Sequence, residues 1–397
     1  MISNKGRTVP KSPIRKLIPL ADDAKKRGIH VYHLNIGQPD IKTPETIFES
    51  IRNFKQDVLS YGPTQGIPML REVISSYFNE DYSLDIQPDE VFITTGGSEA
   101  VFFLMLATLN PGDEVLIPEP FYANYNGIAA IVGAKIKPIT TSIHFGFHLP
   151  PRDKIEPLIT EKTSAILTCT PNNPTGTVLT QEEMEMLVNI AKDHNLWLFA
   201  DEVYREFVFD GRESSSFLKF EDALDRIAIA DSVSKRFSSC GARIGFIIAK
   251  NKELFDAVMR FGMARLCPPT IEQYGASSGF RTRSKFIPDM VKEYEHRRDV
   301  VYHEIQEMDG LFTLKPEGAF YTVVKLPVDD SEEFVRWMLK DFEIDKKTTM
   351  LAPASGFYAT EGKGKDEARI AYVLKEDDLR DAMKILKEGI YVFNNTH

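Results

Sequence analysis

DSVSKRFSSCGARIG, residues 231–245, joins two apolar runs, 227–230 and 244–249, and each run is typical of a buried strand. The two glycines of this stretch let backbone come close to a ligand. Its serines and Arg243 can donate to an anion, and an arginine matches a phosphate with two parallel hydrogen bonds. Near strand ends and a cationic neighbour, the amine of Lys235 would have a lowered pKa and be nucleophilic. A lysine that forms a Schiff base beside a phosphate site suggests pyridoxal phosphate (PLP), whereas the alternative is a basic surface turn.

Length and charge restrict the classes of protein to consider. A chain of 397 residues exceeds the usual size of a single core, so we expect two domains. With 43% hydrophobic and 27% charged residues, the composition is that of an ordinary globular protein. The net charge of -10 argues against a nucleic acid or an anionic membrane as a partner. An anionic substrate would therefore need local arginines or lysines.

The cysteines and the N-terminal residues give an expectation about location. Cys169, Cys240 and Cys267 are far apart and have no metal-binding spacing, which favours a reducing compartment and no metal site. Residues 1–16 lack the apolar core of a signal peptide, and the longest apolar stretch, 101–109, is too short to cross a bilayer. We therefore expect a cytoplasmic protein.

From residue 91 the chain alternates between apolar runs and amphipathic segments. The candidate strands are 91–94, 114–117, 165–168, 196–200, 227–230 and 244–249. The candidate helices between them are 98–109, 122–132, 181–193 and 252–265. This alternation predicts an α/β fold with a mostly parallel sheet covered by helices on both faces. Such sheets bind ligands at the carboxyl ends of their strands.

At the two ends of the chain, the pattern of apolar and polar residues differs from this alternation. Before residue 91 the pattern predicts helices at 14–27, 44–56 and 68–79 and a strand at 31–35. After about residue 282 it predicts a long charged helix, 287–308, then short strands at 312–314, 319–324, 348–351 and 369–373 and helices at 331–341 and 376–392. We expect a smaller α+β domain at 283–397, a large domain at 46–282, and an N-terminal arm, 1–45, that packs with the small domain.

Polar groups follow several of the predicted strands. The glycines of TTGGSEA, 94–100, would free the first amides of a helix for a phosphate, although a tight turn with a serine N-cap explains them equally. Tyr122 could stack on a planar heterocycle or belong to the core. Asn173, extended because a proline follows it, could donate to a phenolate oxygen; a loop stiffened by its prolines is the alternative.

Asp201 ends the apolar run 196–200, where an unpaired carboxylate is costly. A carboxylate facing a pyridine nitrogen keeps that nitrogen protonated, which is a recognised feature of PLP sites. Tyr204, three residues later, could reach the ring oxygen. A helix-capping aspartate is the alternative. Because four such groups occur at strand ends, the interpretation as a PLP site is favoured.

In ordered motifs over nearly its whole length, the chain resembles the class I/II aminotransferases of PLP fold type I, the group that contains the aspartate and aromatic aminotransferases. The motifs are YGPTQG at 61–66, GGSEA at 96–100, NPTG at 173–176, DEVY at 201–204, SVSKRF at 232–237, GARIG at 241–245, PEGAFY at 316–321 and RI at 369–370.

The resemblance implies a role for each matching residue. Lys235 is the lysine that carries the cofactor and later moves the Cα proton, and Arg369 binds the α-carboxylate of the substrate. The remaining implied contacts are Arg243, Ser232, Gly97 and Ser98 on the phosphate, Tyr122 on the ring face, Asn173 and Tyr204 on the ring oxygen, Asp201 on the ring nitrogen, and Gly37 and Asn173 beside the carboxylate. Tyr61 would reach the phosphate of the neighbouring subunit, which implies a homodimer with shared active sites.

The resemblance implies transamination between an L-amino acid, such as aspartate, and a 2-oxo acid such as 2-oxoglutarate. The side-chain pocket is less defined, because Ser98 stands where some aspartate-specific relatives have a lysine. Arg265 is a hypothetical partner for a second carboxylate; a solvated arginine at a helix end is the alternative. Two other functions remain: a PLP-dependent carbon–sulfur β-lyase of the same fold, and a non-enzymatic regulator, for which the acidic chain offers no DNA-binding module.

Overall fold

The computed structural model describes residues 1–10, 13 and 15–396, which form α-helices, strands and short 3₁₀ turns. The helices are α1 (Asn4–Thr8), α2 (Ile18–Lys26), α3 (Glu45–Arg52), α4 (Pro68–Tyr82), α5 (Gly97–Thr108), α6 (Asn124–Val132), α7 (Arg152–Ile155), α8 (Gln181–Asp193), α9 (Val233–Arg236), α10 (Lys252–Arg265), α11 (Thr270–Arg281), α12 (Ile287–Gln306), α13 (Ser331–Lys340) and α14 (Glu376–Thr396). The strands are β1 (His30–His33), β2 (Val91–Thr94), β3 (Glu114–Glu119), β4 (Lys135–Thr140), β5 (Thr163–Cys169), β6 (Trp197–Asp201), β7 (Ile227–Ser232), β8 (Gly245–Ala249), β9 (Tyr321–Lys325), β10 (Lys347–Met350), β11 (Ala352–Pro353) and β12 (Glu367–Ala371).

A seven-stranded sheet in the order β2-β8-β7-β6-β5-β3-β4 forms the centre of the protein. The strands from β7 to β4 are parallel, and only β8 runs antiparallel to its neighbours β2 and β7. The predicted mostly parallel sheet is therefore confirmed. Because the strands on the β7 side are parallel, their carboxyl ends meet at one edge of the sheet.

Alternate residues of β7 show that both faces of this sheet are covered. Ile227 and Ile229 belong to one buried apolar cluster, and Ala228 and Ala230 belong to another on the opposite face. Strand residues point alternately to the two faces, so each face must be covered for every residue of β7 to be buried. This explains why the strand is a continuous apolar run.

The two ends of the chain meet in a smaller α+β unit. Strand β1 pairs in parallel with β10, and β9, β11 and β12 form an antiparallel sheet. Leu17, Ala21 and Leu34 from the N-terminal segment are fully buried in the same apolar cluster as residues of α13 and α14. The predicted domain boundaries, 45/46 and 282/283, stay predictions.

Most predicted elements are present with shifted ends. Within the predicted helix 14–27, the structure has a helix at Ile18–Lys26, and residue 14 lies outside the described residues. The predicted strand 312–314 is reduced to an isolated bridge between Phe312 and Lys325. Six elements were not predicted: α1, α7, α9, α11, β4 and β11. Among the described residues, every helix is too short or too polar to span a membrane.

Candidate active site

A cavity of about 930 Å³ opens at the carboxyl edge of the central sheet, between that sheet and the smaller unit. Eleven of the twelve residues predicted for the site line it: Gly37, Gly97, Ser98, Tyr122, Asn173, Asp201, Tyr204, Ser232, Lys235, Arg243 and Arg369. The fold thus brings together residues that come from distant parts of the sequence.

Lys235 lies on the short helix α9, which begins directly after β7. The side chain of Ser232 caps this helix by accepting from the amide of Ser234 at 3.1 Å. The lysine amine donates to the carbonyl oxygen of Gly37 at 2.8 Å. Burial lowers the pKa of this amine; the nearby Cys240 opposes the shift and Arg369 adds to it. The amine is therefore more readily neutral, and more nucleophilic, than that of a solvated lysine.

A buried ionic network holds α9 from the side opposite the cavity. Arg236, next to Lys235, is fully buried, and its Nη2 donates to both carboxylate oxygens of Asp231 at 2.8 and 2.7 Å. Arg205 donates to the same carboxylate at 2.6 Å, and Glu206 lies 3.0 Å from Nε of Arg236. Consecutive residues of the short helix thus point in different directions, one into the cavity and one into this network.

Asp201 is the last residue of β6 and is 7% exposed. Its carboxylate accepts from the hydroxyl of Tyr125 at 2.7 Å and from the amide of Val203 at 3.3 Å. Burial raises its pKa to about 6, and these two hydrogen bonds only partly oppose that shift. A cationic N–H group in the cavity would favour the charged form of this carboxylate.

The turn before α5 and Arg243 form a cradle for an anion. Gly96 has φ of +81° at the N-terminus of this 12-residue helix, where free amides and the helix dipole attract negative charge. A Cβ on Gly96 would lie 2.3 Å from Nη2 of Arg243, so only glycine lets the guanidinium approach this turn. Ser232 also faces the cavity. A phosphate-sized anion fits this set of donors.

Arg369, on β12, is a buried cation without a carboxylate partner among the described residues. Its Nη1 donates to Oδ1 of Asn173 at 2.9 Å and its Nη2 to the carbonyl oxygen of Asn35 at 2.6 Å, while Nε has no hydrogen-bond partner in the part of the chain described. The guanidinium also lies over the rings of Tyr321 and Phe357, at 4.6 and 5.0 Å. A buried charge of this kind needs a counter-ion, and a carboxylate entering the cavity would supply one.

Tyr321 also lines the cavity, although it was not predicted as a site residue. The sequence indicated it only as the last residue of the motif PEGAFY. Its hydroxyl lies 2.8 Å from that of Tyr204. A Cβ on Gly37 would lie 1.7 Å from the hydroxyl of Tyr321, which explains why this position is a glycine. The tyrosine thus fixes both Tyr204 and the backbone at Gly37.

Tyr125, Asn35 and Arg15 are among the other lining residues that were not predicted. Tyr125 is one helical turn after Tyr122, a spacing that could have suggested it. Asn35 is buried, and its Nδ2 has no hydrogen-bond partner among the described residues. Arg15 lines the cavity from the N-terminal segment. For Asn35 and Arg15 the sequence carries no comparable indication, because the chain must fold before either reaches the sheet edge.

Tyr61 and Arg265 lie outside this cavity. Tyr61 is 80% exposed and lines a second cavity of about 710 Å³ with Thr95 and residues 267–270. Arg265 has its Nη1 at 3.5 Å from the carboxylate of Glu99 and donates to backbone oxygens. Within one chain, neither residue contributes to the first cavity, so the roles predicted for them stay predictions.

Comparisons with known proteins agree over the whole chain. The family model for aminotransferase class I and II matches residues 29–397. A probable aspartate aminotransferase from Methanocaldococcus jannaschii is 32% identical over 397 residues, 98% of this chain and 99% of that protein. Aromatic-amino-acid aminotransferase 2 from Thermococcus litoralis is 33% identical over 399 residues, 98% of each.

A solved structure extends this similarity to three dimensions. The aspartate aminotransferase from Thermotoga maritima matches with a TM-score of 0.89 and 30% identity, and the match covers 100% of both chains. The comparisons favour transamination over the carbon–sulfur lyase reaction. The chain therefore belongs to the class I and II aminotransferases, and it is an enzyme that uses PLP to transfer an amino group between an amino acid and a 2-oxo acid.

Proposed function

We propose that the large cavity is the active site and that the donor is aspartate or a related L-amino acid, with a 2-oxo acid such as 2-oxoglutarate as acceptor. The observation that carries this proposal is the cavity shared by a half-buried lysine amine, a buried carboxylate and a buried arginine that has no counter-ion among the described residues. The aspartate and aromatic names of the relatives support a donor of this class.

The residues of the cavity fit PLP in chemistry and placement. Arg243, Ser232 and the amides at Gly97 and Ser98 would hold its phosphate, and Asp201 would face the ring nitrogen. The further partners would be Tyr122 on the ring face and Asn173 and Tyr204 at the ring oxygen. When bound, PLP supplies an aldehyde that takes up an amino group and a ring that withdraws electrons from Cα.

Lys235 would be the base that removes the proton from Cα of the donor. Its amine is less basic than that of a free lysine, so a larger fraction is neutral and able to accept a proton. The short α9 helix, held by the network around Arg236, would keep the amine in position. Asp201, in its charged form, would keep the ring nitrogen protonated.

Arg369 would bind the α-carboxylate of the substrate. Two parallel hydrogen bonds from a guanidinium fix the plane of a carboxylate, and so they fix the direction of the Cα–H bond relative to Lys235. Asn173, which already accepts from Arg369, and Gly37 would border the same group.

We also propose a cytoplasmic homodimer in which Tyr61 contacts the phosphate site of the neighbouring subunit. Leu59, Tyr61, Met263 and Leu266 are more than half exposed, and such apolar groups are typical of interaction surfaces. Thr95, beside the Gly96 turn, lines the second cavity together with Tyr61. The cysteines described are all free, which fits a reducing compartment.

The test is to add a panel of amino acids to purified PLP-loaded enzyme and follow both the cofactor absorbance and the products. A change of the cofactor band with aspartate or a related donor, together with the matching 2-oxo acid, is expected. Release of ammonia and pyruvate without pyridoxamine phosphate would instead identify an elimination reaction. If no amino acid changes the band, the proposed function is wrong.

A further inference from the structure

We propose that Glu119 is a positioning residue for the binding of the substrate carboxylate. Glu119 is the last residue of β3, and it holds the loop between β11 and β12, residues 354–366, against the edge of the central sheet. Through this loop it keeps Phe357 against Arg369. This inference rests on the proposed function, because it takes Arg369 to be the group that binds the α-carboxylate.

The side chain of Glu119 is fully buried and is surrounded by hydrogen-bond donors. Its Oε2 accepts from the amides of Ala359 and Thr360, both at 3.0 Å. Its Oε1 accepts from the hydroxyl of Thr360 at 2.6 Å and from that of Thr140 at 3.1 Å. An ionised carboxylate offers about four acceptor sites, so this set of donors fills them. Hydrogen bonds thus offset the cost of burying the carboxylate.

These hydrogen bonds join the central sheet to the smaller unit. Thr140 belongs to β4 and pairs with Glu119 across the sheet, whereas Ala359 and Thr360 lie in the loop. A second contact lies two residues further along the chain, where the amide of Phe121 donates to the carbonyl oxygen of Phe357 at 2.8 Å. The loop is therefore attached to the end of β3 at residue 357 and again at residues 359–360.

Phe357 connects this attachment to the active-site cavity. The Phe357 side chain is fully buried, and its ring centre lies 5.0 Å from the guanidinium carbon of Arg369. The ring of Tyr321 lies 4.6 Å from the same carbon and is fixed by the contact of its hydroxyl with that of Tyr204. Aromatic rings attract a guanidinium and limit its movement. Loss of the Glu119 side chain should therefore free one of the two rings that hold Arg369.

The cofactor contacts near Glu119 have a separate support. Tyr122 is three residues after Glu119, and the next residue, Ala123, packs in one apolar cluster with four residues of the smaller unit, Ala352, Ala354, Phe357 and Tyr358. This packing does not involve the carboxylate of Glu119. Removal of the carboxylate should therefore weaken carboxylate binding more than it weakens PLP binding, and general damage to the protein would not produce that difference.

The experiment compares the wild-type holoenzyme with Glu119→Ala and Glu119→Gln. In Glu119→Ala the KM for the amino donor should rise roughly 3- to 30-fold, as expected for loss of a cation–π contact, with a smaller change in kcat and in the Kd of PLP. Glu119→Gln should restore most of the wild-type KM, because its amide group can accept from the two backbone amides and donate to the two hydroxyls. Glu114→Ala is the matched control: Glu114 lies at the other end of β3 and accepts from the hydroxyl of Thr160 at 2.7 Å.

A double variant tests whether Glu119 acts through Phe357. Glu119→Ala combined with Phe357→Leu should raise KM no further than the larger of the two single effects, because both changes remove the same contact with Arg369. Additive effects would overturn the inference. If Glu119→Ala does not fold, Thr360→Val takes its place, since it removes the hydroxyl donor of the loop; KM should then rise by a smaller factor, and an unchanged KM would count against the role of Glu119.

Two further measurements do not depend on turnover. In Glu119→Ala, hydrogen exchange of the peptide that contains residues 357–360 should be roughly 10-fold faster than in wild type, because its amides lose their acceptor. The Kd of succinate, followed by the absorbance of bound PLP, should rise by a factor similar to that of KM.

The outcomes separate this inference from the proposed function. If wild-type enzyme uses aspartate while KM and the succinate Kd are the same in Glu119→Ala, the inference is wrong and the proposed function stands. If wild-type enzyme transaminates no amino acid, the proposed function is wrong. The succinate Kd then decides the role of Glu119, and equal binding to both proteins, or no binding to wild type, would overturn it.

Discussion

Asp201→Asn should make the cofactor-free protein more stable at neutral pH while impairing the enzyme. The carboxyl group is 7% exposed, and burial raises its pKa from 3.8 to about 6. No cationic side chain in the described part of the chain pairs with it. The ionised carboxylate of Asp201 would therefore be stabilised by a cationic group of the cofactor, and it destabilises the folded protein when the cofactor is absent.

The size of this effect follows from the pKa. A shift from 3.8 to about 6 makes ionisation of Asp201 cost about 3 kcal/mol in the folded protein. In the unfolded chain the carboxyl loses its proton at lower pH, so between about pH 4 and pH 6 the folded state binds more protons. Stability from this group is thus present below about pH 4 and is lost as pH rises through 6. The loss is only partial at pH 5, roughly 2 kcal/mol, and reaches about 3 kcal/mol at pH 8.

Urea unfolding of the cofactor-free protein measures this directly. The free energy of unfolding is determined for wild type and Asp201→Asn at pH 5 and pH 8, at one protein concentration. The advantage of the variant over wild type should be larger at pH 8 by roughly 1 kcal/mol, because the amide does not ionise. Asp309→Asn, at an exposed aspartate, is the matched control and should show no such change.

A variant-minus-wild-type difference that is the same at both pH values would refute the argument that Asp201 has a raised pKa. Addition of PLP provides a further check. The cofactor should stabilise wild type more than Asp201→Asn, since only the carboxylate pairs with a protonated ring nitrogen.

Three further substitutions test the proposed roles. Lys235→Ala should abolish turnover and still bind PLP noncovalently, as judged by absorbance after gel filtration; persistent transamination would refute the role of the lysine. Arg369→Lys should raise KM for the amino donor roughly 10- to 100-fold, because an ammonium cannot form two parallel bonds, and an unaltered KM would move the carboxylate site elsewhere. Mixed dimers of Tyr61→Phe and Lys235→Ala chains should be more active than either parent, since one of their two sites would be wild type; activity no higher than the parents' average would contradict shared sites.

Helices with strong end signals could be predicted accurately from sequence. Helix α8 has the predicted bounds, 181–193, because Thr180 and Glu183 form a reciprocal capping box at its start. Helix α10 also has its predicted bounds, 252–265, and Asn251 caps it by accepting from the amide of Leu254. In both helices, local chemistry fixes where the element begins.

Two of the missed elements, β4 and α11, lack such local chemistry. Strand β4 lies at the edge of the sheet and contains Lys135, Lys137 and Pro138, which are tolerated at an edge and disguise a strand. Helix α11 contains Gly275 and Gly279, which have low helix propensity. A Cβ on Gly275 would lie 3.1 Å from Ile47 of α3, so tertiary packing, and not propensity, determines this helix.

The residues of the cavity divide in the same way into those that the sequence indicated and those that it did not. Lys235, Asp201 and Arg243 could be identified because each follows or joins buried strands, and the carboxyl ends of neighbouring strands meet in space. Arg15 and Asn35 come from the other end of the chain. Their approach to the site depends on the pairing of β1 with β10, for which neither strand carries a specific sequence signal.

The pairing of His30 with Lys347 has a consequence for synthesis on the ribosome. All seven strands of the central sheet have been translated by residue 249. Strand β1, in contrast, can pair only after β10, at Lys347–Met350, has been translated. During that interval the apolar side of β1 and α2 lacks its native partners in β10, α13 and α14. Exposed segments of this kind aggregate or recruit chaperones. We therefore expect nascent chains halted before residue 347 to be held by chaperones through their N-terminal segment.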